Sequence, residues 1–571
     1  MLVLGIEGTA WCASAALHDS ETDHTVIESN PYEPDSGGIH PREAAEHMTE
    51  AIPEVVSLVL DRAEAEYGPN AIDAVAFSRG PGLGPCLRTV GTAARALAGT
   101  LDVPLVGVNH MVAHLEIGRH RSTFEDPVCL NASGANAHLL GYHDGRYRVL
   151  GETMDAGVGN AIDKFTRHVG WTHPGGPKVE AAAAEAEAAV GPADDARDAT
   201  TDGGDLLDLP YVVKGMDFSF SGISSAANDA YDDGVPVEEI CFALQEHVFA
   251  MLTEVSERAL SLTGADELVL GGGVGQNARL REMLESMCAE RGADFYAPEP
   301  KYLRDNAGMI AVLGAKMAAA GDTLPIRESP VDPNFRPDQV EVTWRADANS
   351  VIESGAGAPS GTDGDQRGAE AVVEVRADRV IKRRLRKAYR HPELDRTIRR
   401  DRTVSEARLT SEARRAGVPT PLVYDVDVPN ATLILQHVGD RDLARGLSTA
   451  RTAAVGRHLA RLHGAGMVHG DPTTRNVRIE DDTDRSDDDA DRGGDDGPVD
   501  TDVRLIDFGL GYHTGHVEDH AMDLHVFEGS ITATATDPGP LIGAFEDGYR
   551  EIGDRMVLER LRDVERRGRY R

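Results

Sequence analysis

Residues 2–17 read LVLGIEGTAWCASAAL and contain two short apolar runs, Leu2–Ile6 and Ala13–Leu17. Apolar runs of this length predict buried strands. The segment between them, Gly5–Ala10 (GIEGTA), predicts a hairpin turn, because glycine adopts the backbone conformations that a tight turn requires. The chain is therefore expected to begin with a pair of adjacent strands.

Strands and helices alternate over residues 1–325, which predicts an α/β domain with helices packed on a mixed or parallel sheet. Further apolar runs predict strands at Ala74–Phe77, Leu105–Val108, Val128–Asn131 and Leu268–Leu270. Helical periodicity predicts helices at Ala44–Glu66, Thr89–Thr100 and Glu239–Leu262.

The composition is that of a globular protein with about three or four structural units. The 571 residues are 41% hydrophobic and 27% charged, and 58 Lys+Arg against 96 Asp+Glu give a net charge of −38. A charge this negative keeps a protein soluble and is typical of halophiles. The net charge therefore indicates adaptation to the solvent and does not exclude a polyanionic partner.

Several classes of protein are excluded by simple features. The five cysteines form no CxxC pair, which argues against a disulfide scaffold or a cysteine zinc site and fits a reducing cytoplasm. The N-terminus has no signal-peptide pattern, and no stretch of about 18 apolar residues predicts a membrane span. We therefore expect a cytoplasmic protein that does not cross a membrane.

Changes in composition divide the chain into domains. Residues 346–367 are rich in Gly, Ala, Ser and Asp without periodicity and predict a flexible linker. We place this linker at 326–367, between domains at 1–325 and 368–571. Within the second domain, 480–502 carries twelve acids against two Arg and predicts a disordered insert.

Two histidines are spaced four residues apart in NHMVAHLE, residues 109–116. On a helix, His110 and His114 share one face with about 5–6 Å between their Cβ atoms, which suits metal chelation; two separately hydrogen-bonded histidines are the alternative. A zinc peptidase of the HExxH type needs a Glu after the first His. This chain has Met111 there, so a peptidase would lack its base.

A third metal ligand is suggested by KYLRDNAGMIA, residues 301–311. Asp305 starts a predicted helix of small residues, where it is either an N-cap or a hard metal ligand. Two imidazoles and one carboxylate suit Fe²⁺ or another divalent metal that can polarise a carbonyl.

Glycine-rich turns follow several predicted strands. NASGAN at 131–136 and GGGVGQN at 271–277 each come directly after a strand. Glycine at such positions lets a ligand approach backbone N–H groups. A further bend at Gly175–Lys178 is flanked by Asp163 and Glu180, whose carboxylates either bind the hydroxyl groups of a ribose or remain solvated surface groups.

Taken in order, the motifs of the first domain resemble those of the universal tRNA threonylcarbamoyladenosine transferase family. They are GIEGTA, SRGPGLGP (78–85), NHMVAH, SGAN (133–136), AIDKF (161–165), HPGGPKVE (173–180), FSFSG (218–222), GGGVGQN and RDNAGMIA. The resemblance implies an actin-like fold, shared with sugar kinases and heat-shock ATPases, with two RNase-H-like halves around a nucleotide cleft. It implies transfer of the threonylcarbamoyl group from threonylcarbamoyl-AMP to the N6 amine of the adenosine next to the anticodon, in tRNAs that read codons beginning with adenine.

The same resemblance implies roles for individual residues. His110, His114 and Asp305 would bind one divalent metal, Fe²⁺ or another. Family members usually have a tyrosine that reaches the metal where this chain has Asn131, so the carbonyl oxygen of Asn131 is a further candidate ligand. Around threonylcarbamoyl-adenylate the resemblance places Asn131, Ala132, Ser133, Gly134, Ala135, Asp163, Gly176, Glu180 and Asn277.

A second ordered set of residues lies in the C-terminal domain. Lys382 stands in VIKRR, Glu406 in RTVSEARL, Asp471 and Asn476 in HGDPTTRN, and Asp507 in LIDFGL. The spacing within HGDPTTRN is that of a kinase catalytic loop, and DFG is a magnesium-binding motif. Lys382 would hold phosphates and Glu406 would orient it. Asp471 would accept a hydroxyl proton, and Asn476 and Asp507 would hold Mg²⁺.

These motifs, with KAYRHPELD (387–395) and EDHAMDL (518–524), resemble the small atypical serine/threonine kinase/ATPase of the KEOPS complex, which has an α+β protein-kinase-like fold. The order of the two domains resembles the archaeal bifunctional fusion, of haloarchaeal type, in which the second domain regulates or supports the transferase. No APE motif follows DFGL, so a long peptide-docking segment is absent. The resemblance implies ATP and Mg²⁺ as cofactors, a nucleotide loop containing Gly368, Ala369 and Glu370, and tRNA and the other KEOPS subunits as partners.

Basic stretches at 376–402 and 555–571 suit tRNA phosphates, although Arg faces also pair with acidic faces. Three alternative functions are a metal-dependent endopeptidase with a regulatory kinase domain, a scaffold whose second half only binds nucleotide, and a sugar kinase of the same fold. The missing Glu after His110 argues against the first alternative. Intact Lys382 and Asp471 argue against the second, and the histidine pair is unexpected in the third.

Overall fold

A computed structural model of the chain describes residues 1–32, 40–134, 136–143, 145–190, 206–345, 366–480 and 502–567. The described residues form two compact units. The first lies within residues 1–345, and the second comprises residues of 366–567 together with 213–217. None of the helices in the described part of the chain combines the length and the apolar composition that crossing a bilayer requires.

The first sheet contains β1 (Leu2–Glu7), β2 (Cys12–Asp19), β3 (His24–Pro31), β4 (Ala74–Gly80) and β5 (Leu105–Asn109). Its order is β3-β2-β1-β4-β5, with β1, β2 and β3 antiparallel and β4 and β5 parallel to β1. The hairpin predicted from residues 2–17 is confirmed, since Leu2 lies opposite Asp19 and Glu7 lies opposite Ser14. The helices of this part are α1 (Pro41–Tyr67), α2 (Gly84–Leu101) and α3 (His110–Ser122).

The second sheet contains β6 (Val128–Ala132), β7 (Ala137–His143), β8 (Arg146–Glu152), β11 (Glu267–Gly271) and β12 (Asp294–Tyr296). Its order is β12-β11-β6-β7-β8; β6, β7 and β8 are antiparallel, and β11 and β12 run parallel to β6. The two sheets therefore repeat the same strand order and directions. The other elements of the first unit are α4 (Val158–His168), α5 (Gly176–Val190), α6 (Ser221–Asp232), α7 (Val237–Thr263), α8 (Ala278–Arg291), α9 (Pro300–Leu303) and α10 (Ala307–Ala319). The short strands β9 (Val213–Lys214) and β10 (Asp217–Phe218) include the segment 213–217 that belongs to the second unit.

Helices α3 and α10 share one buried core with residues from both sheets. Leu115 of α3 and Ile310 of α10 belong to the same cluster as Val106 of β5 and Val269 of β11. Gly118 lets α3 come close to β11, because a Cβ at this position would collide with the side chain of Val269. The start of α3 and the turn before α10 consequently lie where the two halves of the unit meet.

Residues 326–345 pack onto the first unit, whereas composition assigned them to a linker at 326–367. Phe335, Val340 and Val342 are buried in the core around α3 and α10. The sequence here has no periodicity because the segment contains only short 3₁₀ turns between its buried anchors. The linker therefore does not begin before residue 346, and residues 346–365 lie outside the described part of the chain.

The second unit begins with an antiparallel sheet of β13 (Gln366–Arg367), β14 (Ala371–Val375), β15 (Arg379–Arg384), β16 (Val423–Asp427) and β17 (Thr432–Gln436), in the order β13-β14-β15-β17-β16. Helix α11 (Pro392–Arg415) is inserted between β15 and β16. The expected α+β composition is observed.

The rest of the second unit is mainly helical. Phe508, Phe527 and Tyr549 lie in its buried core. Its elements are β18 (Arg441–Asp442), α12 (Thr449–Gly464), β19 (Met467–Val468), β20 (Val477–Ile479), β21 (Val503–Leu505), β22 (Tyr512–His513), α13 (Val517–Thr534), α14 (Gly539–Ile552) and α15 (Arg555–Arg567). Of the predicted acidic insert at 480–502, residues 481–501 lie outside the described part of the chain.

Candidate functional site

The histidine pair lies on the first turns of α3, directly after β5. Asn109 caps the helix: its Oδ1 accepts hydrogen bonds from the backbone N–H groups of Met111 (3.0 Å) and Val112 (3.1 Å). The cap fixes the first turn, so His110 and His114 face the same side, with ring centroids 4.9 Å apart. Both rings are buried.

Asp305 comes from a part of the chain almost two hundred residues further on, yet it faces both rings. Its Oδ1 lies 3.3 Å from Nε2 of His110 and 3.2 Å from Nε2 of His114. The expectation that Asp305 starts the following helix is wrong, because α10 starts at Ala307 and Asn306 is its cap. Asn306 takes over the capping of α10, so the carboxylate of Asp305 can face the histidines.

The electrostatics of these three groups are strongly coupled. Burial opposes ionisation of Asp305, but His110 and His114 outweigh it and hold the pKa of this carboxyl below its usual range. Burial also favours the neutral form of His110, yet Glu7 and Asp305 raise its pKa to about 10. Burial lowers the pKa of His114. A buried site that holds this much negative charge favours a cation.

The three predicted ligands form a donor set that fits a divalent metal. One donor atom from each of His110, His114 and Asp305 lies within 4.8 Å of the other two, and no other His, Cys, Asp or Glu of the described ranges joins this group. Two imidazole nitrogens and one carboxylate oxygen suit Fe²⁺ and similar ions and leave coordination positions open.

Glu7, which was not predicted from the sequence, contacts this donor set through the second ring nitrogen of His110. It is fully buried and accepts hydrogen bonds from Nδ1 of His110 (3.1 Å), from the backbone N–H of Thr9 (2.8 Å) and from the Ser78 hydroxyl. Metal-binding histidines commonly donate their second ring N–H to a carboxylate, which fixes the ring. The sequence did contain a signal for this role, because Glu7 is an acidic residue at the end of the apolar run Leu2–Ile6.

Trp11 contacts the other carboxylate oxygen of Asp305, Oδ2. Its indole Nε1–H donates a hydrogen bond to Oδ2 of Asp305 over 3.1 Å. This hydrogen bond restricts rotation of the carboxylate, so that Oδ1 of Asp305 remains directed toward the two histidines. Trp11 lies in the turn of the β1–β2 hairpin, so the first predicted element of the fold also positions this ligand.

Asn131 lies at the end of β6 and is buried. It is aligned with Gly271 on β11 and with His138 on β7. Its Oδ1 has no hydrogen-bond partner among the described residues. Gly272 adopts a positive φ of 85°, and a Cβ there would collide with the carbonyl group of Ala132. The two glycine-rich turns predicted from the sequence are therefore adjacent.

The rest of the first turn is folded on itself and on α4. Ser133 Oγ donates to the carbonyl oxygen of Asn136 (2.9 Å), and the carbonyl oxygen of Gly134 accepts from the backbone N–H of Asn160 (2.9 Å). Ala135, also placed at the substrate site by resemblance, lies outside the described residues. The contacts of this turn with a substrate stay a prediction.

The other predicted substrate residues lie at, or contact, the starts of α5 and α8, and Asp163 does so from α4. Asp163 accepts from the backbone N–H of Gly175 over 2.8 Å, directly before Gly176 at the start of α5. Glu180 on α5 accepts from the backbone N–H of Ala278 over 2.8 Å. Both carboxylates therefore organise glycine-containing turns, and neither is a freely solvated group.

Asn277 has a structural role beside Glu180. Its Oδ1 caps α8 by accepting from the backbone N–H groups of Arg279 (2.9 Å) and Leu280 (3.2 Å), and its Nδ2 donates to Gln245. Asn277 and Glu180 are thus brought together at the N-terminus of α8, where backbone N–H groups favour anions. Binding of the adenylate by this pair stays a prediction.

In the second unit the charged residues predicted from the kinase motifs converge. Lys382 Nζ on β15 lies 2.8 Å from Oε1 of Glu406 on α11 and 2.7 Å from Oδ1 of Asp507. Burial opposes ionisation of Asp507, but Lys382 and Arg384 lower its pKa to about 2. Burial raises the pKa of Glu406 in spite of the same lysine.

The predicted catalytic loop is held at both of its ends. Nδ2 of Asn476 donates to Oδ2 of Asp471 over 3.1 Å, which brings the two residues together as predicted. Asp523 on α13, missed in the sequence, accepts from the backbone N–H groups of His469 (2.6 Å) and Gly470 (2.8 Å). The loop is consequently fixed by a buried carboxylate beneath it.

The expected nucleotide loop at 368–370 is tied to basic side chains of its own unit. Glu370 accepts from Nη1 of Arg384 over 2.8 Å, and the carbonyl oxygen of Ala369 accepts from Lys387. Gly368 donates its backbone N–H to the carbonyl oxygen of Ala371 over 2.9 Å, which closes the turn before β14. Contact of these residues with a nucleotide stays a prediction.

The first unit is thus a two-sheet α/β domain with a candidate divalent-metal centre, and comparison with known proteins supplies the family. Residues 22–312 match the family described as TsaD, tRNA N6-adenosine threonylcarbamoyltransferase. The chain belongs to this family.

Relatives of the same architecture cover the whole chain. They carry the name "Probable bifunctional tRNA threonylcarbamoyladenosine biosynthesis protein". The one from Haloquadratum walsbyi is 62% identical over 100% of both chains, and the one from Halobacterium salinarum is 65% identical over 100% of this chain and 99% of its own. The one from Methanoculleus marisnigri is 47% identical over 100% and 98%. The predicted tRNA-modifying enzyme with a fused second domain is confirmed at this level, and the endopeptidase alternative is not favoured.

Proposed function

We propose that the first unit transfers the threonylcarbamoyl group of threonylcarbamoyl-AMP to the N6 amine of the adenosine next to the anticodon, in tRNAs that read codons beginning with adenine. The observation that carries the proposal is the convergence of His110, His114 and Asp305 in a chain of this family. The transferase domain extends over residues 1–345 and has the actin-like, duplicated architecture that its two equivalent sheets support.

The chemistry requires little from the protein beyond binding and orientation. Threonylcarbamoyl-AMP is a mixed anhydride and is already activated. The adenosine amine attacks the carbamoyl carbon, the bond from this carbon to the AMP oxygen breaks, and the amine proton leaves to solvent or to the departing phosphate. A bound divalent cation, Fe²⁺ or another, would supply Lewis-acid polarisation of the carbamoyl group.

The residues of this chain have separable tasks in that reaction. His110, His114 and Asp305 hold the cation, and Asn131 adds a carbonyl oxygen on its β6 side. Backbone N–H groups in the turns at 131–135 and 271–277 bind the phosphate of the adenylate. Further contacts to the adenylate come from Asp163, Gly176, Glu180 and Asn277.

We further propose that the second unit is a small protein-kinase-like domain that binds ATP and Mg²⁺ and acts as a kinase or ATPase. The supporting observation is the contact of Lys382 with both Glu406 and Asp507, which is the arrangement that phosphoryl transfer needs. Lys382 binds phosphate oxygens, Asp507 and Asn476 bind Mg²⁺, and Asp471 accepts the hydroxyl proton or positions water. Gly368, Ala369 and Glu370 cover the phosphates.

The proposed partners follow from these activities. They are tRNA, bound electrostatically at the basic stretches 376–402 and 555–571, and the other KEOPS subunits, within which the second unit regulates or supports the transferase. Substrates of this kind place the enzyme in the cytoplasm.

Nucleoside analysis tests the proposed transfer. Unmodified tRNA is incubated with the full chain, its partner subunits and threonylcarbamoyl-AMP. The tRNA is then digested to nucleosides, which are separated by chromatography and identified by mass spectrometry. We expect threonylcarbamoyladenosine to accumulate with the intact chain and not with His110→Ala. Formation of the nucleoside at equal rates by both proteins would overturn the role of the metal centre.

A further inference from the structure

A third histidine, His138, is buried near the candidate metal centre, and its ring makes no hydrogen bond with the described residues. His138 is on β7 and only 1% of its surface is exposed. Neither of its ring nitrogens has a hydrogen-bond partner among the described residues. Leaving a buried polar atom unpaired destabilises the folded state, so a buried ring with two such atoms calls for an explanation.

The sheet register shows which way His138 faces. It lies directly opposite Asn131 in the antiparallel pair of β6 and β7, and opposite residues share a face. The next pair on that face is Cys129 and Leu140, and both belong to the buried core that contains Leu115 of α3. His138 therefore points to the side of the sheet that α3 covers.

The position of α3 brings this face next to the metal ligands. Gly271, Asn131 and His138 form one row across β11, β6 and β7. A Cβ on Gly271 would lie 3.6 Å from Cβ of His114 and 3.5 Å from Oδ1 of Asn131. His114 thus lies over the row at Gly271, where the absence of a side chain makes room for it.

Unpaired polar atoms are concentrated at this place. Besides both nitrogens of His138, Nδ1 of His114 and Oδ1 of Asn131 are buried and have no hydrogen-bond partner among the described residues. Nε2 atoms of His110 and His114, in contrast, already face Asp305. The four unsatisfied atoms therefore belong to the row of Asn131 and His138 and to His114, which lies over that row.

We propose that His138 is a further ligand of the same divalent cation, on the β7 side of His110, His114 and Asp305. This inference rests on the proposed metal centre. His138 does not belong to the group of donor atoms within 4.8 Å of one another, but no hydrogen bond holds its ring where it is, so its side chain can turn toward the cation without breaking one.

Cobalt binding tests the proposal on the full chain. The protein is freed of metal by a chelator, and Co²⁺ affinity is measured by competition with a chromophoric chelator while the visible spectrum of the bound ion is recorded. His138→Gln should weaken Co²⁺ binding about 10- to 100-fold and change the spectrum. His18→Gln is the matched control, because His18 is also a buried strand histidine but is hydrogen-bonded to Thr25.

A second variant gives a positive signal that does not depend on loss of binding. In His138→Cys a thiolate in coordinating position should produce a sulfur-to-cobalt charge-transfer band that is absent from the unsubstituted chain. Unchanged affinity and spectrum in His138→Gln, or no such band in His138→Cys, would overturn the assignment of His138.

The two levels of the proposal fail in different ways. Co²⁺ binding that is lost in His110→Ala but unaffected in both His138 variants would leave the metal centre intact and remove only His138 from it. Failure of the unsubstituted chain to bind Co²⁺ or Fe²⁺ would overturn the metal centre itself, and the inference with it.

Discussion

Nδ1 of His110 donates a hydrogen bond to Oε2 of Glu7 over 3.1 Å, at a place where Glu7 has no exposed surface. The bond fixes the plane of the imidazole and occupies its Nδ1–H. The other ring nitrogen, Nε2, then faces Asp305. Because Glu7 is itself held by Thr9 and Ser78, the β1–β2 hairpin sets the orientation of a proposed metal ligand on α3.

Glu7→Gln should therefore weaken metal binding without abolishing the fold. The amide keeps the size of the side chain but no longer offers a carboxylate to Nδ1–H of His110. We expect Fe²⁺ or Co²⁺ affinity to fall about 10- to 100-fold, as for other outer carboxylate partners of metal-binding histidines. Chelator competition measures the change, with Glu64→Gln on the exposed side of α1 as control. Equal affinities in both variants would contradict an orienting role of Glu7.

His114→Ala should abolish tRNA modification and leave ATP turnover by the second unit unchanged. The substitution removes one of the three proposed ligands His110, His114 and Asp305, so the cation is no longer held in the site. Nucleoside mass spectrometry measures modification, and phosphate release measures turnover. His120→Ala, on the same helix but bonded to Asp23, is the control. Undiminished modification by His114→Ala would refute the metal role.

Asp471→Asn should abolish ATP hydrolysis while nucleotide binding is retained. The carboxylate of Asp471, which accepts a hydrogen bond from Nδ2 of Asn476, is the proposed proton acceptor. Loss of such a group typically reduces the rate of the reaction about 10²- to 10⁴-fold. Phosphate release and the affinity for a fluorescent ATP analogue separate the two effects, with the exposed Asp425→Asn as control. Unchanged hydrolysis would mean that the nucleotide is cleaved elsewhere.

Asp523→Asn should destabilise the loop at 469–471 at every pH at which the carboxyl of Asp523 is ionised. Burial opposes ionisation of Asp523, but His463 and the backbone N–H of His469 outweigh it and lower its pKa from an ordinary 3.8. A carboxyl with a lowered pKa in the folded state stabilises it fully above pH 3.8, and this contribution is lost as the pH falls further. At pH 7 we expect a loss of about 1–3 kcal/mol, because one backbone donor loses its acceptor.

Hydrogen–deuterium exchange of the peptides that cover α12 and α13 measures this loss for the second unit alone. The difference between the unsubstituted chain and Asp523→Asn should be constant between pH 5 and 7 after correction for intrinsic exchange, since the carboxyl is ionised throughout. Asp547→Asn, with 74% of its side chain exposed, is the control. Equal protection in the two variants would show that Asp523 does not hold the loop.

The sequence predicted those parts of the fold that have a continuous apolar pattern. β1, β4, β5 and β6 are buried along their length, and their apolar runs were sufficient to locate them. β3 was missed because its residues are only partly buried and polar side chains interrupt the run. Residues 326–345 were assigned to the linker because isolated anchors in irregular backbone leave no period to detect.

From spacing alone, only those site residues that are close together in the sequence could be predicted to be close together in the structure. His110 and His114 are four residues apart on one helix, so their proximity was predictable from local geometry. Glu7 and His138 belong to strands and approach the same place only through tertiary packing, for which a single sequence has no local signal. The predicted start of α10, at Asp305, is one residue before the observed cap, Asn306. Asp and Asn are both good caps, so the sequence did not distinguish them.

The proposed donors on α3 precede Asp305 by 191 and 195 residues in the order of synthesis. A ribosome that adds about 5–20 residues per second needs roughly 10–40 s for this interval. Asp305 is thus absent from the nascent chain until the strands of the second sheet have been made, and the proposed ligand set is incomplete until then. Assembly of the complete set of proposed ligands is consequently a late event, which follows synthesis of both sheets of the first unit.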